Sequence, residues 1–579
     1  MMNPPAHESE YDYLILGGGT AGCVLAARLS GHPNLTVCLV EAGPDLPPGS
    51  EPASIRDPFP SSVGDARFFW PDLMAEVGAD PGDGRPRLSR AFLQGRCIGG
   101  SSSVMGMMAT RGLPRDYDEW RDRGAQGWGW SDVAPYFRAC ECDLDFSGSA
   151  HGADGPLPVR RYPRAAWPPF CRALAELMEA DGHPYWPDFN DQSEDGVSCV
   201  PMNNLPDRRV SVAMAYLTRE VRRRRNLCIL PNCTTEILTF EGARATGARV
   251  RTPCGVRHLK AREIVVSSGA LHTPAVLMRS GIGPAKMLQA LAIPVLADLP
   301  GVGQNLLNHP CVSLAVDLQR AAWQDTALRS WGFSVLRYSS RYRDCPLGDM
   351  QLHPMNKTAW HPLGRRVGSI GVSVFKSFSQ GAVTLQSSDP RAPPIVRMNL
   401  LDDPRDFERL VAGTGFALSL LQHRRIRGLR NEVFLPSGYA MSLNRLTTVN
   451  YLKSGFVRQL FALSGHLRRR VLKPGLIDVP AVVGDEASLR ALVRRAAAPV
   501  HHVCGTCRMG AGSDRMAVLD SDLRVFGVRG LRVIDASVMP TIVSANTHLT
   551  VVMIAEKAAQ SLLREVRAPT VTAAMRINP

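Results

Sequence analysis

Two histidines near the C-terminus carry the chemistry most legible in this 579-residue chain: His502, in the run VHHVCGTCRMG, and His548, in SANTHLTVVMIAEKAA. An imidazole titrates near working pH, so it can take a proton from a reacting oxygen or hold a hydrogen bond to it. The opposite end of the chain supplies something for such a site to work on. Tyr11 to Leu16 (YDYLIL) is a short apolar run that predicts a buried strand. It leads straight into Gly17, Gly19, Thr20, Ala21 and Gly22 of GGGTAG, which open the helical pattern AGCVLAARLSG. Glycines in such a turn let the backbone approach a pyrophosphate, whose charge is held by free N–H groups and the positive end of the helix dipole. A second strand, Thr36 to Val40, ends at Glu41 and Ala42. Glu41 lies about 20 residues past the last glycine, where a carboxylate accepts from a ribose 2′-OH and disfavours a 2′-phosphate. NAD and FAD share this fingerprint, so the turn alone predicts dinucleotide binding and no more.

Along almost its whole length the chain resembles the glucose-methanol-choline (GMC) family of FAD-dependent oxidoreductases. The resemblance rests on seven segments in the family's order: GGGTAGCVLAARLS, GRCIGGSSSVMGMMATRG, GALHTPAVLMRSGIG, LPGVGQNLLNHP, HHVCGTCRMG, LRVIDASVMP and the closing IAEKAA. Gly269 to Gly283 is similar to the family's second signature at every constrained place. In the first signature, Gly95, Arg96, Gly99, Gly100, Ser101 and Ser102 match, whereas Met105, followed by Gly106, stands where most members have an Asn near the flavin. Val104 occupies the position that is His in members with covalently attached flavin, so the resemblance implies noncovalent FAD. It also implies that Asp535 and Ala536 contact the phosphate or ribityl region. Asn546 and Thr547 would begin a helix whose positive end faces the reduced flavin.

The same resemblance assigns the histidines. Oxidation of an alcohol removes the hydroxyl proton and transfers hydride from carbon to flavin N5, so the site needs a base at the oxygen. The His of HxxGT is His502, the expected base; His548, in NTH, is the expected second group at the alcohol oxygen. His501 competes for the first role, but its spacing to Gly505 and Thr506 is one residue too long. A primary alcohol, aliphatic or aromatic, is the expected substrate, with O2 or a quinone as electron acceptor. Phe68, Phe69, Trp70 and Met107 are candidates to line its pocket or to sit in the core. Two other readings are a lyase or photodecarboxylase of the same fold, and a catalytically silent FAD-binding protein.

Composition sets the frame around these residues. Hydrophobic residues make up 45% of the chain, enough for a large interior, and the length predicts two domains. The expected class is α/β: a discontinuous Rossmann-type FAD domain (1–158, 226–313 and 498–579), and an α+β substrate domain (159–225 and 314–497) built on an antiparallel sheet flanked by helices. Within the latter, SQGAVTLQSSDPRAPPIVRMNLL predicts short strands broken at Asp-Pro and Pro-Pro. Fourteen cysteines without a paired framework, no membrane-spanning run and a polar opening segment predict a cytoplasmic protein. Cys504 and Cys507 are spaced CxxC but lack partner ligands, so no metal is expected. The net charge of +14 raises nucleic acid as a partner. The run Arg222 to Arg225 has no interleaved aromatics, however, and reads as a solvated helix end. The stretch FVRQLFALSGHLRRRVL differs: Phe456, Leu460, Phe461 and Leu463 beside Arg468 to Arg470 suit either a core helix or an interfacial one at the inner membrane face. No sequence feature speaks to oligomeric state.

Overall fold

A computed structural model describes residues 10–78, 88–436 and 443–567; the polar opening segment lies outside the described residues. Two sheets divide the chain. The first is seven-stranded, and its parallel part places Tyr11–Leu16 between Val37–Val40 and the C-terminal half of Gly255–Val266. Leu227–Leu230 and Leu531–Val533 extend the parallel part on its two sides. The N-terminal half of Gly255–Val266 turns antiparallel, pairing with Arg244–Thr252 and through it with Thr234–Glu241. Every residue of Val37–Val40 is buried, as is Leu14 to Leu16, which explains the unbroken apolar runs: parallel strands are covered on both faces. The helices Thr20–Leu29 and Thr547–Arg567 pack together against this sheet, joined by an Arg28 to Glu556 ion pair at 2.8 Å.

The second sheet has nine strands, almost all antiparallel, with Pro310–Leu318, Val367–Val374, Met350–Met355 and Ser334–Tyr338 at its centre. Pro404–Gln422 covers it, started by Asp403, whose side chain accepts from the Arg405 N–H, and by Pro404 in the first turn. The sheet expected around 379–401 is present as Ala382–Thr384 paired antiparallel with Ile395–Leu400. It belongs to a separate four-stranded sheet that also recruits Met74–Gly78 and Ser89–Ala91.

The domain boundaries differ from those expected at three places. Pro310–Leu318 lies wholly in the second sheet and pairs with Ala498–Pro499, so both crossings shift by a few residues. Val212, Ala213, Tyr216 and Val221 belong to the core of the first domain, because the short helix Val212–Tyr216 packs on Thr20–Leu29. The arginine run is likewise no solvated end: Arg222 pairs with Asp45 at 2.8 Å, and Arg224 donates to the Ala27 carbonyl and Ser30 hydroxyl. It bolts the returning chain to the first helix.

Candidate active site and cofactor cleft

The glycine turn is built for close backbone approach. Gly17 has φ +118°, and a Cβ there would stand 2.4 Å from the Ser267 carbonyl oxygen. A Cβ on Gly22 would meet the Gly17 carbonyl at 1.9 Å, so the helix seats directly on the turn. No side chain caps Thr20–Leu29, and Gly19, Thr20 and Ala21 at its start line the cleft. Glu41, at the end of the second strand, accepts from the Gly18 and Gly43 N–H groups at 2.9 and 2.8 Å. Burial pushes its carboxyl up to about 7.

These residues open into one cavity of about 610 Å³ that runs from the glycine turn to the two C-terminal histidines. Every predicted site residue lines it except Gly22, Arg96 and Gly99. Those three support its wall. Gly99 donates its N–H to the Gly18 carbonyl at 2.7 Å, and the Arg96 guanidinium lies 5.3 Å from the Trp70 ring centre. Trp70 and Met107 line the cavity, whereas Phe68 and Phe69 sit in a small core cluster behind it. Asp535 faces the cleft, yet its carboxylate is saturated by protein: Gly269 N–H, Thr273 hydroxyl, and the N–H and hydroxyl of Ser537. Its part is to clasp the 269–273 turn to its own segment. Cys504 and Cys507 are buried free thiols in the core of the first domain, and burial pushes both well up.

At the far end, a chain of hydrogen bonds fixes His502. The Nε2–H of His309 donates to the Val543 carbonyl at 3.1 Å, which leaves its Nδ1 as an acceptor. That Nδ1 lies 2.9 Å from His502 Nδ1, so His502 donates there and keeps an unprotonated Nε2. His309 is itself stacked on Phe375, with centroids 4.4 Å apart. The Nε2 of His502 lies 2.9 Å from Asn546 Nδ2. The amide's orientation is fixed in turn by Thr110, whose hydroxyl accepts from the Asn546 backbone N–H and donates to Oδ1. His502 thus meets Asn546; His548, the expected second group at the alcohol oxygen, lies two residues on, in the first turn of Thr547–Arg567, and lines the same cavity.

Electrostatics at this end are set by burial without counter-charge. His502 is held well below the usual imidazole range by burial and by the neighbouring His309, His501 and His353. Burial also lowers His309 to about 3 and His353, His501 and His548 each to about 4. Among the described residues no carboxylate pairs with any of these histidines. The buried guanidinium of Arg209 acts from below, bonded to the carbonyls of Ile55, Ser102 and Met105, and contributes to lowering His548.

His309, Thr110 and His353 were not read as site residues from sequence. His309 ends the segment LPGVGQNLLNHP, but nothing in the spacing shows that its ring meets His502, 193 residues away. His353 sits on Met350–Met355 two residues from Gln351, and the alternation of a strand places both on one face, with His353 Nε2 at 3.0 Å from Gln351 Oε1.

A family model described as GMC oxidoreductase matches residues 11–311 with its N-terminal part and 377–555 with its C-terminal part. The chain belongs to the GMC oxidoreductase family. It is similar to a 5-(hydroxymethyl)furfural oxidase of Methylovorus sp. (strain MP688), 37% identical over 96% of this chain and 99% of that one. It is also similar to a glucose dehydrogenase [FAD, quinone] of Drosophila pseudoobscura pseudoobscura, 33% identical over 96% and 87%. Among solved structures, pyridoxine 4-oxidase of Mesorbium loti matches with a TM-score of 0.79 and 27% identity, over 96% of this chain and 99% of that one. FAD is the cofactor of this GMC oxidoreductase, and the cleft fits it: an uncapped helix start and a glycine turn at one end, and a wall from three chain segments between that turn and the histidines.

Proposed function

We propose that the protein oxidises a primary alcohol of apolar or aromatic character to the aldehyde, with His502 as the base. The observation that carries this is the 2.9 Å contact between His502 Nε2 and Asn546 Nδ2, with Nδ1 of His502 committed to His309. A lone pair and an N–H donor face each other there. A hydroxyl reaching both atoms from the cavity side, in place of their direct hydrogen bond, donates its proton to His502 Nε2 and accepts from Asn546, which orients the oxygen and polarises it for loss of the proton. His548, lining the same cavity, is the second histidine at the alcohol. FAD, when bound, supplies the acceptor for hydride leaving the carbinol carbon. It is held noncovalently, since Val104 is buried and carries no atom that could form a link.

The substrate class follows from what faces the histidines. Met107, Met108, Trp331, Met355 and Phe375 line the cavity, and among the described residues no carboxylate pairs with its histidines to hold a cationic alcohol. Trp331 is brought close by Gly106, where a Cβ would stand 2.6 Å from the indole, and its N–H donates to the Gly106 carbonyl at 3.0 Å. The names of the furfural and pyridoxine oxidases are those of aromatic hydroxymethyl compounds, which supports the same class.

Anaerobic reduction of the FAD-loaded protein across aryl, alkyl, polyol and amino alcohols tests the reading. Aryl or alkyl primary alcohols are expected to bleach the flavin. His502→Gln is expected to keep its FAD and to slow that reduction by on the order of 10²-fold or more. Reduction at an undiminished rate in the variant, or bleaching by amino alcohols alone, would reject it.

A further inference from the structure

The helix Thr448–Leu463 has two apolar faces, and only one of them is used inside the protein. Inward, Phe461 and Val457 pack with Leu363, Leu443 and Val367, and the Arg366 guanidinium, paired with Asp317, donates to the Phe461 carbonyl at 3.0 Å. Outward, Val449, Leu452, Phe456 and Leu463 recur at spacings of three, four and seven residues, the period of a helix face. They are 58%, 67%, 66% and 81% exposed, values that set them apart from scattered surface apolar residues. The next helix, Gly465–Leu472, buries nothing and adds exposed Leu467 and Val471.

Charge identifies what covers this face. Between Glu432 and Asp478 the sequence has no Asp or Glu, while Arg445, Lys453, Arg458, Arg468, Arg469, Arg470 and Lys473 all fall within it. Arg468 is held inward by Glu432, which Arg469 also meets from the exposed side; Arg445, Lys453, Arg470 and Lys473 are exposed on the same two helices and the turns flanking them. A solvent-facing apolar row flanked by cations without anions is the pattern of a helix lying in a lipid interface, apolar side chains among acyl chains and cations at anionic headgroups. No helix among the described residues is long and apolar enough to cross a membrane, so contact of this kind is interfacial. A protein partner of acidic surface would match the cations but not a continuous row that ends at a leucine four-fifths exposed.

We propose that the outer face of Thr448–Leu463, with the basic helix that follows it, docks the protein on an anionic lipid surface. The test is co-sedimentation of the FAD-loaded full chain with vesicles of phosphatidylcholine alone and of phosphatidylcholine with phosphatidylglycerol. The variants are Phe456→Ser/Leu463→Ser and Lys453→Glu/Arg470→Glu. The wild type is expected to sediment with the anionic vesicles only, less at high salt, and each double variant to lose at least about tenfold in vesicle affinity while keeping its flavin and solution activity. The proposal falls if the wild type stays in the supernatant, or if the Phe456→Ser/Leu463→Ser variant sediments as well as the wild type. It falls equally if light scattering shows a dimer that this variant abolishes while vesicle binding is absent.

Discussion

The tautomer of His502 is the property on which the proposed chemistry turns, and a neighbour sets it. His309 offers an acceptor at Nδ1 only because its own Nε2–H is tied to the Val543 carbonyl. Without that acceptor, His502 is free to carry its proton on Nε2, where it cannot act as a base. His309→Leu is therefore expected to slow flavin reduction by about 10- to 100-fold with FAD retained, and His309→Gln, whose carbonyl can accept, to recover part of the loss. The pH profile separates this positioning role from general damage. With His502 as the proposed base, the neutral form is the active one, so activity is expected above its pKa and lost as pH falls through it; because burial lowers that pKa, the acid limb is expected below the usual imidazole value of about 6.5. His309 is itself neutral and its Nδ1 lone pair also stabilises the His502 imidazolium, so the acid limb of kcat/KM is expected to move to lower pH in His309→Leu and to stay closer to the parent in His309→Gln, which keeps an acceptor. An unmoved limb together with equal losses in both variants would leave His309 a packing residue.

At the scale of the element, the start of Thr547–Arg567 decides which side chain reaches the reacting oxygen. The expectation that His548 is the second group at the alcohol oxygen rests on the family's order of residues, in which the second position is His or Asn. This chain carries both, Asn546 and His548, two residues apart. A linear reading cannot choose between them, because the choice depends on where the chain enters the helix. Thr110 favours Asn546, bonding both its backbone and its side chain and setting its amide against His502. Asn546→Ala is thus expected to lower kcat by about 10-fold or more, while His548→Ala acts mainly on KM or on substrate preference; steady-state kinetics on one aryl alcohol distinguishes the two. The reverse ranking would restore His548 as the hydrogen-bond partner. The same contrast marks how much of the molecule was legible. The glycine turn, Glu41 and HxxGT were readable because local chemistry fixes them: φ near +118° at Gly17, a strand end, a fixed spacing. His309, Thr110 and Trp331 were not, because their roles arise from contacts between segments 193, 436 and 225 residues apart.

At the scale of the whole molecule, the cavity is also the seam of the fold. Its wall takes Gly17, Gly19 and Thr20 from the first strand–helix unit, Gly95, Gly100 and Met105 from the next segment, Ser267 to Ala270 from the middle, and Asp535, Asn546 and His548 from the end of the chain. Asp535 ties two of these directly, through Gly269 and Thr273. The second sheet reaches the same cavity through His353 and Phe375. A dinucleotide held in this cavity would meet these segments together only in the folded state, so its binding free energy adds to the stability of the whole chain: about 2.7 kcal/mol at a free concentration one hundred times Kd, and more for tighter binding. Removal of FAD at acid pH with high salt, followed by return to neutral buffer, is accordingly expected to lower the thermal midpoint by several degrees or more. It should also expose the junctions near Pro310 and Ala498 to limited proteolysis, and added FAD should reverse both changes. Equal midpoints and equal cleavage with and without FAD would mean that the two sheets hold together by their own contacts, and that the cleft is a binding site set into a finished structure.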